Sequence, residues 1–136
     1  MEIYNLEKDI SVFCITADSF PAGIQNAYDA LYAKLPTKDG RKFFGLSWAI
    51  ENGSIIYKAA VEESYDGEAE KLGCERFTIK KGKYISEFIP DYMKDVQGIG
   101  RIFKALLAQP GIDPKGYCLE IYAGAKDVWC MVPLAE

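Results

Sequence analysis

Phe43-Phe44-Gly45-Leu46-Ser47-Trp48-Ala49-Ile50-Glu51-Asn52-Gly53-Ser54 reads as one strand running into a tight turn. Phe44, Leu46, Trp48 and Ile50 share one face, and Phe43, Gly45, Ser47 and Ala49 share the other, the period of two that a strand imposes. Asn-Gly inside the turn is a strong hairpin signal, and Ile55 to Glu62 returns as the second strand. Upstream, Ile10 to Ala17 is β-rich. Pro21 then opens a helical pattern with Ile24, Tyr28, Leu31 and Leu35 on one face, stopped by Pro36. The first half therefore reads strand, helix, hairpin.

The same order recurs. Tyr84 to Ile89 fits a strand, and Val96, Ile99, Phe103, Leu106 and Leu107 form a helical stripe ended by Gly111 and Pro114. Tyr117 to Tyr122 and Val128 to Pro133 make a second hairpin around Ala123-Gly124-Ala125-Lys126. A shift of about 72 residues lays Ile24-Gln25 on Val96-Gln97, Leu31 on Phe103, Leu46 on Leu119 and Tyr57 on Trp129. The expectation is an α+β domain spanning 1–136, built from strand-helix-strand-strand units at about 10–63 and 82–134. Pseudo-two-fold symmetry would leave a central cleft at the seam, a common place for ligands. The stripes predict that Ile24, Leu31, Leu35, Val96, Phe103 and Leu107 face the sheet. Between the units, acidic Glu62 to Gly73 reads as a connecting loop with little packing of its own.

Composition narrows the chemistry. Formal charge is −4, so no global field gathers nucleic acid or an acidic membrane. The Lys80, Lys81, Lys83 cluster is too short to change that. No apolar run approaches the roughly 20 residues that cross a bilayer. The N-terminus lacks the pattern of a signal peptide, so a cytoplasmic location is expected. The four cysteines are dispersed without a CxxC pair, which supports neither a metal site nor a redox motif. There is no histidine, which removes His-activated nucleophiles and His-ligated metal or haem. Tyr, Cys or Met could still ligate haem, but no cofactor and no metal are expected.

One acid interrupts the apolar strand Tyr117-Cys118-Leu119-Glu120-Ile121-Tyr122. Glu120 can be an edge-strand acid pointing at water. If its face is covered, the charge must instead be paired, hydrogen-bonded or partly neutralised. The repeat places Ser47 at the position of Glu120, so Gly45, Ser47 and Ala49 oppose Cys118, Glu120 and Tyr122. The small residues either leave volume for a ligand or accommodate a close-packed helix. The chain holds 18 aromatic residues. Among them Tyr84, Phe88 and Tyr92 approach the second helix, and Trp129 lies on the strand beside Glu120. An acid among rings suits lipophilic cations, through charge and cation–π attraction.

Gly82-Lys83-Tyr84, the Tyr117 to Tyr122 strand and the closing Val128-Trp129-Cys130-Met131-Val132-Pro133-Leu134 resemble the gyrase-inhibitor-like (GyrI-like) domain. That domain is also the effector-binding module of AraC-type and MerR-type multidrug-responsive transcription regulators. The resemblance covers nearly the whole chain. It implies a duplicated domain binding hydrophobic, often cationic small molecules in a central cleft, with an acid at the position of Glu120. The ligand-site candidates are thus Glu120, Tyr122, Trp129, Ser47, Tyr84, Phe88 and Tyr92. Two departures stand out. Phe88-Ile89-Pro90-Asp91-Tyr92 replaces a His-x-Gly motif common in the family, and no helix-turn-helix precedes the first strand. The expectation is therefore a stand-alone drug or toxin sensor or sequestering module that does not itself bind nucleic acid.

Two alternatives follow from the same resemblance. One is a hydrolase of reactive natural products, in which Glu120 orients or deprotonates water. Tyr122 or Tyr84 would then be its partner acid, and Glu62 or Glu87 a second carboxylate. The other is a protein-interaction module similar to the gyrase inhibitor, with a protein partner.

Overall fold

The computed structural model describes residues 1–36, 40–124 and 126–135. Ala125, within the expected second turn, lies outside the described residues. The strands are β1 (Glu2–Leu6), β2 (Ile10–Thr16), β3 (Phe43–Ala49), β4 (Ile55–Glu62), β5 (Glu75–Ile79), β6 (Gly82–Ile89), β7 (Cys118–Ala123) and β8 (Asp127–Pro133). The helices are α1 (Ile24–Ala33), α2 (Glu68–Leu72) and α3 (Gln97–Leu107), with a 3-10 turn at Tyr92–Asp95. Among the described residues, the strands form one antiparallel sheet in the order β1-β6-β8-β7-β3-β4-β2-β5. The architecture is α+β.

That order reads the same from either end once β1 is matched with β5, β2 with β6, β3 with β7 and β4 with β8. The seam is the β3–β7 pair, where Leu46 lies opposite Leu119. Each edge strand crosses over: β1 pairs with β6, and β5 pairs with β2. The sequence pattern predicts neither edge strand. Both are only five residues long, and β1 is largely exposed, so few buried positions mark an alternation that could be read.

The helices cover one face. α1 brings Ala27 and Leu31 onto Phe13, Ala59 and Val61, and α3 brings Phe103 and Leu106 onto Val128, Cys130 and Val132. The opposite face carries Val12, Phe44, Leu46, Ile79, Tyr84, Leu119 and Met131, with no helix over it among the described residues. It becomes a core because the sheet curls on itself. Tyr117, just before β7, reaches Phe77 on edge strand β5 with ring centroids 5.4 Å apart, and its hydroxyl lies 2.7 Å from that of Tyr84.

Three expectations need correction. First, Val96 and Leu107 do not face the sheet; both are about half exposed, while Leu106 is fully buried. Leu107 lies about 100° round the helix from Leu106, at the margin of the stripe, and Val96 precedes the first residue of α3. Leu106→Ala is expected to cost about 2–5 kcal/mol, whereas Leu107→Ala should stay within about 0.5 kcal/mol. Urea titrations of the two variants check this, and equal losses would contradict the assigned face.

Second, the Glu62 to Gly73 stretch is not a solvated linker. It forms α2, in which Glu68 and Ala69 are buried. Arg41 clasps Glu68 through two hydrogen bonds of 2.7 and 2.8 Å, and the Ser64 backbone N–H donates to the same carboxylate at 2.9 Å. Third, Tyr57 corresponds to Cys130 and not to Trp129. Leu46 pairs with Lys58 and Leu119 with Met131, so laying Leu46 on Leu119 carries Tyr57 onto Cys130. A slip of one residue moves a strand side chain to the other face.

Candidate functional site

α1 and α3 stand over separate halves of the sheet, and the seam between them is left open. A cavity of about 800 Å³ occupies the gap. Ser47, Tyr57, Glu120 and Tyr122 form its floor, with Ile24 and Tyr28 on the α1 side and Ile99 and Phe103 on the α3 side. Phe20, Met93 and Val96 also line it and keep 46%, 65% and 54% of their surface exposed. Apolar groups left open to water beside a cavity are unusual in a plain core.

Glu120 is 8% exposed. Strand alternation turns it to the helix face, between Leu119 and Ile121 on the other. Its Oε1 accepts two hydrogen bonds, from the Tyr57 hydroxyl at 2.6 Å and from the Tyr122 hydroxyl at 2.8 Å. The Tyr28 hydroxyl lies 2.7 Å from the Phe44 carbonyl and 2.9 Å from the Tyr57 hydroxyl. Tyr57 and Tyr122 therefore hold the carboxyl from β4 and β7, and Tyr28 steadies Tyr57 from α1.

This cluster depends on Gly45, which sits opposite Glu120 in the β3–β7 register. A Cβ there would overlap both the Glu120 carboxyl and the Tyr57 hydroxyl. A glycine weakens a strand interior, and here its missing side chain makes room for the acid.

Burial pushes the Glu120 carboxyl above the ordinary carboxylate range, and the Tyr57 and Tyr122 hydrogen bonds only partly oppose this. Burial and then the Glu120 charge raise Tyr57, Tyr122 and Tyr28 as well, so the phenols keep their protons. Burial also raises the thiols nearby: Cys118 is pushed up to about 11, and Cys130 is raised too. Neither is a ready nucleophile, because thiolate is the reactive form. Among the described residues, no Lys or Arg forms an ion pair with Glu120. No cluster of three metal-ligating side chains occurs among them either.

Of the candidates read from sequence, Glu120, Tyr122, Ser47 and Tyr92 border the cavity. Tyr84, Phe88 and Trp129 do not. Tyr84 is buried in the core of the opposite face and donates to the Lys80 carbonyl at 2.6 Å. Phe88 and Trp129 pair with each other across β6 and β8, with ring centroids 4.9 Å apart. Even numbering separates Glu120 and Tyr122 from odd-numbered Trp129, but across a hairpin the register alone decides which residues share a face. Glu62 and Glu87 lie away from the cavity, and Glu87 instead faces the N-terminal ammonium at 3.5 Å.

Tyr57 and Tyr28 line the cavity and join the hydrogen bonds around Glu120, and sequence reasoning does not place them there. Tyr57 shares a strand face with Ala59 and Val61, which itself signals the helix side. Its contact with Glu120 depends on the strand order, because the two residues are 63 positions apart. Tyr28 does lie on the inner face of α1, as its spacing predicts, but the spacing marks it as packing and not as a hydrogen-bonding group.

No protein-family model matches the chain, and no curated protein does. Solved structures do share its fold. An integron cassette protein from the mobile metagenome of Vibrio cholerae aligns with a TM-score of 0.73 at 16% identity, over 98% of this chain and 94% of that one. A hydrolase from Listeria innocua aligns with a TM-score of 0.63 at 12% identity, over 98% and 90%. SAV2435 bound to tetraphenylphosphonium aligns with a TM-score of 0.61 at 11% identity, over 98% and 92%. At these identities the likeness is one of fold.

Proposed function

We propose that this chain is a small-molecule-binding module that takes a lipophilic organic cation into the cavity between α1 and α3, with Glu120 as counter-charge. The observation that carries this reading is a buried carboxyl hydrogen-bonded only by phenols, with no cationic partner among the described residues. A lone carboxylate away from water is costly, and a bound cation offsets that cost. The Tyr57 and Tyr122 rings and Phe103 supply apolar and π-rich surface for the rest of the ligand. Support also comes from the resemblance to GyrI-like domains and from the fold shared with a protein bound to a hydrophobic cation. On this reading the protein senses or sequesters a drug or toxin.

A second reading, hydrolysis, draws on the raised Glu120 carboxyl, which suits a general base better than an ordinary carboxylate does. A hydrolase of the same fold keeps it in view. Against it, the cavity lining contains no second carboxylate among the described residues.

One experiment separates the two. The protein is titrated with a cationic aromatic dye and a neutral dye of the same shape, and the mixtures are then followed for hours by chromatography. Binding calls for the cation at least about tenfold tighter, a difference of roughly 1.4 kcal/mol, and unchanged dye at the end. Time-dependent loss of dye would favour the hydrolase. Equal affinity for the two dyes would remove the role given to Glu120.

A further inference from the structure

The hydrogen bonds around Glu120 constrain more than the charge of a guest. Three phenols surround the carboxyl, and each has a single proton to give. The protons of Tyr57 and Tyr122 both go to Oε1. That of Tyr28 goes either to the Phe44 carbonyl or to the Tyr57 hydroxyl. No donor in this cluster is left for a ligand. Acceptors are: Oε2 of Glu120 takes no hydrogen bond from the described residues, and the Tyr122 oxygen keeps a lone pair. Glu120 and Tyr122 both line the cavity. Ser47, the other polar residue of the floor, stands opposite Cys118 in the β3–β7 register.

A floor that offers acceptors beside a negative charge selects the head group of its ligand. We infer that the cavity takes a cation that carries N–H bonds, a protonated amine or amidine, and that the Glu120 Oε2 accepts one of them. This rests on the cation-binding reading above and narrows it. A quaternary ammonium or phosphonium ion has the charge but no proton to donate. With such a guest, Oε2 is covered without gaining a hydrogen bond, and an acceptor shut away from water loses stabilisation. A protonated amine makes a charge-assisted hydrogen bond, the strong kind, and can give a second N–H to the Tyr122 oxygen. A carboxylate or phosphate that reaches Oε2 meets a like charge and is rejected there, although the Gln25, Tyr92 and Gln97 side chains elsewhere on the lining can donate to other guests.

The test uses three ligands on one ring system: naphthylmethylamine, its N,N,N-trimethyl ammonium counterpart and naphthylmethanol. Each is titrated calorimetrically at neutral pH, where both nitrogen compounds are charged. The expected result is the amine binding at least about tenfold tighter than the trimethyl compound, although the latter is more apolar. In Glu120→Gln the gap should fall to about threefold or less. If the two cations bind alike and both outdo the alcohol, the N–H preference is wrong while the cation site stands. A trimethyl compound that binds tighter than the amine overturns the preference in the same way. If the alcohol equals the cations, or nothing binds, the cation-binding reading itself fails. The wild-type comparison decides these outcomes even if the variant folds poorly.

Discussion

Arg41→Ala is expected to destabilise the fold by about 3–5 kcal/mol, the range for a buried ion pair that loses one partner. Glu68 is fully buried, and the two guanidinium hydrogen bonds answer its charge. Removing them strands a carboxylate beneath α2 with only the Ser64 N–H. An apolar pair, Arg41→Met with Glu68→Leu, should recover most of the loss, because the cost lies in the unpaired charge. The pH dependence follows the same contact. Arg41 holds the Glu68 carboxyl below its ordinary value of 4.5. Its contribution is therefore complete above about 4.5 and disappears as pH falls through the lower folded-state value. Urea titrations at neutral pH measure the effect. A loss under about 1 kcal/mol for Arg41→Ala would mean that α2 is held by something other than this pair.

That buried pair marks where the sequence stops being legible. The segment around Glu68 is acidic, contains glycine and lacks periodicity, and such composition normally means a solvated loop. The partner that overturns this stands 27 residues earlier. Local pattern carries no such information. Where burial enforces a period the outcome is different. Along β3, Phe44, Leu46 and Trp48 alternate with Gly45, Ser47 and Ala49, and α1 turns Leu31 inward because four-residue spacing leaves no other face for it. The seam is legible as well, since Leu46 and Leu119 occupy corresponding places in the two halves.

The site is legible in part for the same reason. Glu120 and Tyr122 stand two apart on one strand, so one face of one element carries both. Tyr57 and Gly45 join them through pairing across the seam, which alternation along a strand does not encode. Trp129 enters the candidate set because its strand runs beside Glu120, but it pairs with Ile121, so its ring lies on the other side of the sheet.

The second large effect concerns the carboxyl itself. Glu120→Gln is expected to weaken binding of a lipophilic cation by about 2 kcal/mol or more, roughly thirtyfold. The amide keeps the size of the side chain, and its oxygen still accepts from Tyr57 and Tyr122, so the loss is one of charge and not of shape. Stability should move the other way. A carboxyl raised by burial favours folding fully below its ordinary value of 4.5, and that advantage is lost as pH rises through the folded-state value. At neutral pH the ligand-free wild type therefore carries a penalty that the variant lacks. Glu120→Gln should be the more stable protein, by about 1 kcal/mol or more. The neighbouring Tyr28, Tyr57, Tyr92 and Tyr122 and the thiols of Cys118 and Cys130 all titrate above their own ordinary values and do not blur this. Such an exchange of stability for affinity is what a functional buried charge leaves behind.

The most direct measurement is a fluorescence titration of wild type and Glu120→Gln with a cationic dye and a neutral dye of matched shape, at neutral pH. Only the wild-type protein is expected to distinguish the two dyes, with the cation losing roughly thirtyfold in the variant and the neutral dye changing little. Equal affinities in all four titrations would contradict the cation-binding role and return Glu120 to that of a structural acid held by two tyrosines.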